Sequence, residues 1–357
     1  MGRPLITIVL ATYNRPESLR VAIRSALRQT MPDWRLLVIG DACDERTATV
    51  VGAFADKRIA YVNLPSRCGE QAIPNSIGMA LAESDHVALL NHDDVLLPDH
   101  LAQALAHLER SGGDLFVGRA AFARVSGLAP DGSRVPVFSE LTPTDRSLAD
   151  VFSVGSEIFE PCSAWVFHRR LVDTVGLWRA ATTLYRTPMD DWLLRAWRAG
   201  AKLVQSQDIT VLRMLTHYQR AAGATAYAWG PAEHEILDRL LEERSPAWMR
   251  NAIHDRLESD LVARIPKVGF SRVWLKILYQ LTPEQEWLAG QFLTPAMGEV
   301  YLRTGWDAFE QFCLLSGSRR GQAMKLALRI RTGEDPPPIP DFAAMLAYAR
   351  QRLAVVP

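Results

Sequence analysis

ITIVLATYNRPESLRVAIRSALRQT, residues 6–30, decides the fold. Its first half is a β-rich apolar run that ends at Thr12 and empties into the polar turn Tyr13, Asn14, Arg15, Pro16. In the second half Leu19, Ala22, Ile23, Ala26 and Leu27 recur at the spacing of one helical face, so a helix there lays an apolar stripe on a sheet. Pro16 suits a first helical position, and Asn14 or the turn after it is expected to cap the helix. Strand, turn and helix at the start of a chain invite a nucleotide-binding reading. The turn has neither G-x-G-x-x-G nor G-K-[ST], so the glycine backbone cradle of dinucleotide and P-loop sites is missing.

Outward from this unit the pattern repeats. Strand-like runs at 34–39, 59–64 and 86–90 alternate with helix-like stretches at 47–54 and 75–82, which argues for a Rossmann-like α/β layer with a mostly parallel sheet. A helix at 98–111, a strand at 115–125 and a Pro-Asp-Gly turn at 130–132 follow, and the turn opens a less regular stretch to about residue 160. Beyond it come an apolar run at 162–167, a helix at 190–199 stopped by Gly200, and short strands at 203–205 and 209–212. From about residue 232 the pattern is helical only, broken at Pro246, Pro266, Pro283 and Pro295 and by the prolines at 336–338. The expected division is an α/β domain over 1–229 and an all-helical domain over 230–357. The polar clusters after the runs at 5–12, 34–39 and 86–90 fall at the carboxyl ends of strands, where open α/β sheets bind ligands.

Composition narrows the class. Of 357 residues 48% are hydrophobic and 22% charged, which fits neither global disorder nor a fibrous repeat. Forty Lys+Arg balance forty Asp+Glu, so no net field draws the chain to nucleic acid or to an anionic membrane. The four cysteines form no C-x-x-C pair and no zinc-ligand spacing. Residues 1–14 lack the charged start and cleavage site of a signal peptide, and no apolar run approaches the roughly 18 residues of a membrane span. A cytoplasmic protein is expected.

With 6–30, the stretches LLVIGDACDERT (36–47), NSIGMALAESDHVALLNHDDVLLPDHL (75–101) and MDDWLLRAWRAGAKLV (189–204) stand in an order and at intervals that resemble the inverting family 2 glycosyltransferases of the GT-A fold. The resemblance covers about residues 4–220. It implies that Thr12 and Asn14 line a nucleoside pocket and that Asp41 accepts a hydrogen bond from the base ring; the family often has an acid where Glu45 stands, and Cys43 is a tolerated variant. Asn91-His92-Asp93-Asp94 occupies the place of the family's D-x-D signature, whose carboxylates hold Mn2+ or Mg2+ against the donor diphosphate. The first acid is replaced by Asn91, whose amide can still accept a sugar hydroxyl, so the charge falls on Asp93 with Asp94 behind it. Asp190-Asp191 resembles the acid pair that opens a helix beyond the acceptor loop. By that likeness Asp191 takes the acceptor proton and Asp190 orients the site, and mutual repulsion is expected to raise the pKa of one of them. His217 stands where many relatives carry a metal-reaching histidine, Arg67 is within reach of phosphate, and Asn75 lines the donor site or caps its helix.

The helical part carries no family motif. Its segment 317–333 has Arg319, Arg320, Lys325, Arg329 and Arg331 with no acid, a pattern suited to an anionic membrane surface at the inner membrane or to a solvated rim. Trp274, Tyr279, Trp287, Tyr301, Trp306 and Phe309 suit a helical core or a homodimer interface. The expected activity is metal-dependent transfer of a sugar from a nucleoside diphosphate donor, UDP by the family's base rate, to a hydroxyl on a glycan, lipid-linked or protein acceptor. The alternative is a non-catalytic sugar-nucleotide or glycan-binding relative, in which Asn91 marks a lost metal site.

Overall fold

A computed structural model of the chain describes residues 4–128, 134–141, 161–184, 187–214, 237–239, 241–259 and 338–354. The apolar runs form the centre of a nine-stranded mixed sheet. Strands β1 (Ile6–Thr12), β2 (Trp34–Gly40), β3 (Ile59–Asn63) and β4 (His86–Asn91) lie parallel in the order β3-β2-β1-β4. Helices α1 (Pro16–Leu27), α2 (Glu45–Gly52) and α3 (Ala72–Leu81) make the crossovers. These strands read as continuous apolar runs because both faces are covered: Ile8, Leu10, Leu36 and Val38 join one buried cluster, and Leu37, Ile39, Ala60 and Val62 another.

Beyond β4 the sheet is mixed. It adds β5 (Asp94–Leu96), β6 (Leu115–Leu128), β7 (Arg134–Leu141), β8 (Trp165–His168) and β9 (Leu203–Met214). The order continues β4-β8-β6-β9-β5 with β7 on β6, and β8 runs antiparallel to both β4 and β6. Helix α4 (His100–Ser111) ends on Gly112 at φ 61, the left-handed position that glycine adopts without cost. Helices α5 (Arg170–Val175) and α6 (Pro188–Arg198) bracket a loop that contains a 3-10 turn at Ala181–Thr183.

Several local expectations are corrected. Asn14 does not cap α1: the N-cap is Arg15 with no side-chain bond, and Asn14, at φ 44, instead accepts the Asp44 N–H at 2.8 Å. Helix α3 begins three residues before the 75–82 estimate, so Asn75 lies inside its first turn and does not cap it. The two short strands at 203–212 are one, continued through a register shift against β6. Strand β7 lies in the stretch expected to be irregular, because its Pro136 and Ser139 break the apolar alternation.

The described helices of the C-terminal half pack on the α/β layer. Arg250 of α7 (Pro246–Ser259) grips Asp99 through two bonds of 2.8 and 2.9 Å, and Met249 and Ile253 share a cluster with Val95, Leu97 and Leu212. Helix α8 (Phe342–Ala354) crosses back to β3 and α3, where Met345 and Ala349 are buried against Leu37, Ile39, Ala60, Val62, Ile73 and Ile77. By its packing α8 completes the parallel half of the sheet, although its place in sequence put it in the helical unit. The basic segment 317–333 and the six aromatics named above lie outside the described residues, as does His217. Among the described residues no helix is long and apolar enough to cross a membrane.

Candidate functional site

The parallel strands deliver their polar ends to one rim of the sheet. At the end of β1, Thr12 is 3% exposed; its carbonyl accepts the Asp41 N–H at 2.9 Å, and its Oγ1 is enclosed without a partner. At the end of β2, Gly40 is required by close approach, since a Cβ there would meet Asn63 Oδ1 at 2.6 Å and Tyr61 Oη at 2.8 Å. Asn63 brackets the next turn, accepting the Cys43 N–H at 2.7 Å and donating to the Cys43 carbonyl at 2.8 Å. Ala42 within it sits at φ 54, a left-handed conformation that costs a non-glycine residue about 1 kcal/mol or more. Such strain persists where the surroundings dictate the backbone, and here they include both the Asn14 bond and the Asn63 bracket.

Asp41, 5% exposed, is the hub of the rim. Its Oδ1 accepts the Cys68 N–H at 2.5 Å and its Oδ2 the Gly69 N–H at 2.9 Å, which ties the turn after β3 to the end of β2. Burial raises its pKa against the pull of these hydrogen bonds and of Arg67. The Arg67 guanidinium carbon lies over the Tyr13 ring, 4.3 Å from the centroid. The residue after Gly69 is Glu70, whose Oε2 accepts the Ala72 N–H at 2.6 Å at the start of α3; burial pushes this carboxyl up to about 7.

At the end of β4 the two acids of the signature have different surroundings. Asp93 is partly exposed and faces Arg15 across the rim, Oδ2 to Nη1 at 3.4 Å. Asp94 is 3% exposed and enclosed: Ser163 Oγ donates to its Oδ2 at 2.6 Å and Asn91 Nδ2 at 2.8 Å. Burial raises the Asp94 pKa, Asp93 adds to the rise, and Arg213 with the two hydrogen bonds opposes it. The Asn91 amide is used at both ends, since Cys162 Sγ donates to its oxygen at 3.3 Å. Asn91 and Asp94 therefore brace the turn that presents Asp93. His92 is driven down to about 4, chiefly by burial and against the pull of Asp93.

The second acid pair opens α6. Thr187 caps the helix, with its Oγ1 accepting the Asp190 N–H at 3.2 Å and donating to Asp190 Oδ2 at 2.7 Å. Asp191 turns to the other side, where Arg195 Nε meets its Oδ2 at 2.9 Å and Arg179 its Oδ1 at 3.6 Å. Separate partners thus keep the adjacent carboxylates apart. Arg195 also donates to the carbonyls of Val175 and Leu177, so the loop leading to α6 is pinned to the helix itself.

Sequence reading missed Glu70, Ser163 and Arg195. Arg195 was open to reading as an i,i+4 partner of Asp191. Glu70 stands immediately before a helix, where an acid is ordinary, and Ser163 reaches Asp94 only through the tertiary fold. Asp93 is the one partly exposed carboxylate of the β4 turn. A lone carboxylate suits an ion such as Mg2+ that is held by one or two protein carboxylates and otherwise by substrate phosphates and water. Among the described residues no group of three or more His, Cys, Asp or Glu forms a metal cage.

Residues 7–176 match the family model described as Glycosyl transferase family 2. The chain is 27% identical over 175 residues to the putative colanic acid biosynthesis glycosyl transferase WcaA of Escherichia coli K12, covering 48% of this chain and 62% of that protein. It is 28% identical over 240 residues to the uncharacterized glycosyltransferase YwdF of Bacillus subtilis 168, covering 67% of this chain and 83% of the relative. Among solved structures, Staphylococcus aureus TarS 1-349 in complex with UDP-GlcNAc aligns over 92% of both chains with a TM-score of 0.50 and 15% identity, a likeness of fold.

Proposed function

Because residues 7–176 match the model of glycosyltransferase family 2, we propose that the chain moves a sugar from a nucleoside diphosphate donor to an acceptor hydroxyl in glycan or polysaccharide assembly, with inversion at the anomeric carbon. The observation that carries the reading is the convergence on one rim of Thr12 and Asn14 from β1, Asp41 from β2 and Asp93 from β4, with Arg15 facing Asp93. A partly exposed carboxylate with a guanidinium facing it would suit a divalent ion and the phosphates of a donor better than a free sugar.

In this reading the Tyr13–Arg67 pair flanks the nucleoside beside Thr12 and Asn14. Asp41 shapes that pocket by fixing the Cys68–Gly69 turn, and its remaining lone pairs are the acceptors for the base ring. Asp93 would hold Mn2+ or Mg2+, which when bound supplies positive charge to the departing diphosphate. Asp94 and Asn91 hold the Asp93 turn. Asp191 takes the proton from the acceptor hydroxyl as the hydroxyl attacks, and Asp190 keeps the start of α6 in place by its Thr187 bond. UDP is the proposed nucleotide, by its frequency in the family.

A thermal-shift series with UDP, GDP, dTDP and their sugars, with and without Mn2+, tests the reading. A ligand that binds only the native chain raises the melting temperature by mass action, and the proposal expects a rise that depends on both nucleotide and metal. No shift with any of them, in a chain that melts cooperatively, would overturn it.

A further inference from the structure

A cavity of about 260 Å3 lies at the amino ends of the parallel strands, on the opposite edge of the sheet from the rim that carries Thr12, Asp41 and Asp93. Thr7, the second residue of β1, and Arg35, the second residue of β2, line it as register partners, and Leu37 follows Arg35 on the same face of the strand. Another wall is the end of α8, where Arg350, Leu353 and Ala354 stand at i, i+3 and i+4 and share one face. Leu81 at the end of α3, Glu83 and Pro4 complete the lining.

The lining brings two guanidiniums from separate elements to one space, with Glu83 as its single acid. Among the described residues no side chain pairs with Arg35 or Arg350. A cation at the carboxyl end of a helix is favourable by itself, which accounts for Arg350 but not for Arg35 on β2. Thr7 adds a buried donor, being 2% exposed with its Oγ1 2.6 Å from Ser84 Oγ. One hydroxyl proton serves that bond; with Ser84 donating, the Thr7 proton is left for a further acceptor. The two oxygens of a carboxylate are satisfied by one guanidinium fork, whereas a phosphate monoester turns three acceptor oxygens in three directions. Its fourth oxygen carries carbon, for which Leu37, Leu81 and Leu353 form a wall. The volume is below the roughly 300–1,000 Å3 of drug-sized ligand sites, so the carbon part is short.

We propose that this cavity binds a small phosphate monoester, with its phosphate between Arg35 and Arg350, Thr7 as a third donor and the leucines against its carbon chain. The bound anion adds a charged link between β2 and α8, whose Met345 and Ala349 already pack with Leu37. The site does not depend on the donor reading, since it lies at the other end of the strands.

Calorimetry and thermal unfolding of the full chain without metal test it, with inorganic phosphate and n-butyl phosphate as probes. Butyl phosphate should bind saturably, more tightly than inorganic phosphate, raise the melting temperature by mass action and resist displacement by excess UDP. Arg35→Gln and Arg350→Gln should each weaken it at least about tenfold, because each removes charge-assisted hydrogen bonds. Without ligand their melting temperatures should be unchanged or raised, since one of two like charges has gone. Leu353→Trp leaves both arginines and fills the apolar side, so it should weaken butyl phosphate more than inorganic phosphate. Equal affinity in wild type and both arginine variants, displacement by UDP, or no saturable binding of either phosphate would overturn the proposal. If an arginine variant fails to melt cooperatively, Leu353→Trp decides, and full butyl phosphate affinity there would overturn it. Phosphatidylcholine vesicles with and without phosphatidic acid separate the two sources of such an ester. Acid-dependent vesicle binding that Arg35→Gln abolishes would assign the site to a lipid headgroup, and butyl phosphate binding with no vesicle binding would assign it to a soluble ester.

Discussion

Asp191 and Arg195 sit one turn apart on α6 and meet Oδ2 to Nε at 2.9 Å, while the same guanidinium holds the carbonyls of Val175 and Leu177. The pair is mostly shielded, with side-chain exposures of 14% and 17%, so it is not a solvent-screened surface bridge. A carboxylate proposed to accept a proton is thereby fixed in direction by a cation that is itself anchored at two points. Asp191 keeps its second oxygen on the side of Arg179, where the contact is longer.

Arg195→Lys tests this arrangement. An ammonium keeps the charge but cannot reach the carboxylate and two carbonyls at once, as the planar fork does. Donor affinity should stay within about twofold while release of UDP from UDP-sugar slows roughly 10-fold, less than the roughly 10²- to 10⁴-fold expected for Asp191→Asn. Steady-state rates alongside calorimetric donor affinity decide it. A loss of donor affinity in step with the rate would mean that Arg195 serves the fold as a whole.

Asp93→Asn should remove the metal-dependent part of UDP affinity and leave the metal-independent part. The amide preserves the shape of the turn that Asn91, Asp94 and Ser163 brace, so the melting temperature without ligand should change little. Titration of UDP with and without Mn2+ measures both parts. If Asp93→Asn keeps the full metal increment, the ion is held elsewhere.

The pH dependence of stability should carry the signature of Glu70. Its carboxyl is raised from 4.5 to about 7, mainly by burial, with Asp41 also raising it and the Ala72 and Ala181 N–H groups opposing. Between those two values the native state binds the proton more tightly than the unfolded chain. The stabilising contribution is therefore fully present below about 4.5 and lost as pH rises through about 7. Glu70→Gln cannot ionise, so its stability relative to wild type should improve from pH 5 to pH 8 by roughly 1–3 kcal/mol, discounted for partial exposure. Urea unfolding at the two pH values checks the sign, and a constant difference would show that the carboxyl titrates normally.

How far the sequence reveals this molecule depends on the range of each interaction. The parallel core was legible from local period alone, because strands buried on both faces must be apolar throughout and Leu19, Ile23 and their neighbours must share one helical face. The rim positions Asn14, Asp41 and Asp93 were legible because strand ends are marked by the change from apolar to polar residues. Their partners were not. Asp94 meets Ser163 across 69 residues, Ser76 meets the Trp178 carbonyl across 102, and Met345 reaches the β3 side from the far end of the chain. No periodicity records such contacts. Every donor-side motif precedes residue 229, so the sequence by itself predicts that a chain ending there still recognises a nucleotide.

The packing of α8 changes that expectation. Met345 and Ala349 cover Leu37, Ile39, Ala60 and Val62, and Ser66, next to Met345 Sδ at 4.0 Å, belongs to the turn whose Cys68 and Gly69 amides hold Asp41. A chain ending before residue 342 should expose this apolar face and loosen that turn together. Met345→Ala is the milder version: roughly 2–5 kcal/mol lost for a buried methionine, with the cavity beside β3. The expected outcome is a lowered melting temperature in both, and UDP affinity weakened more by the truncation than by the point variant. Calorimetry at a temperature where each protein remains folded separates loss of the site from loss of the fold. A soluble, cooperatively melting chain without 342–354 that binds UDP as tightly as the full chain would show that α8 only covers the sheet and has no part in setting the Asp41 turn.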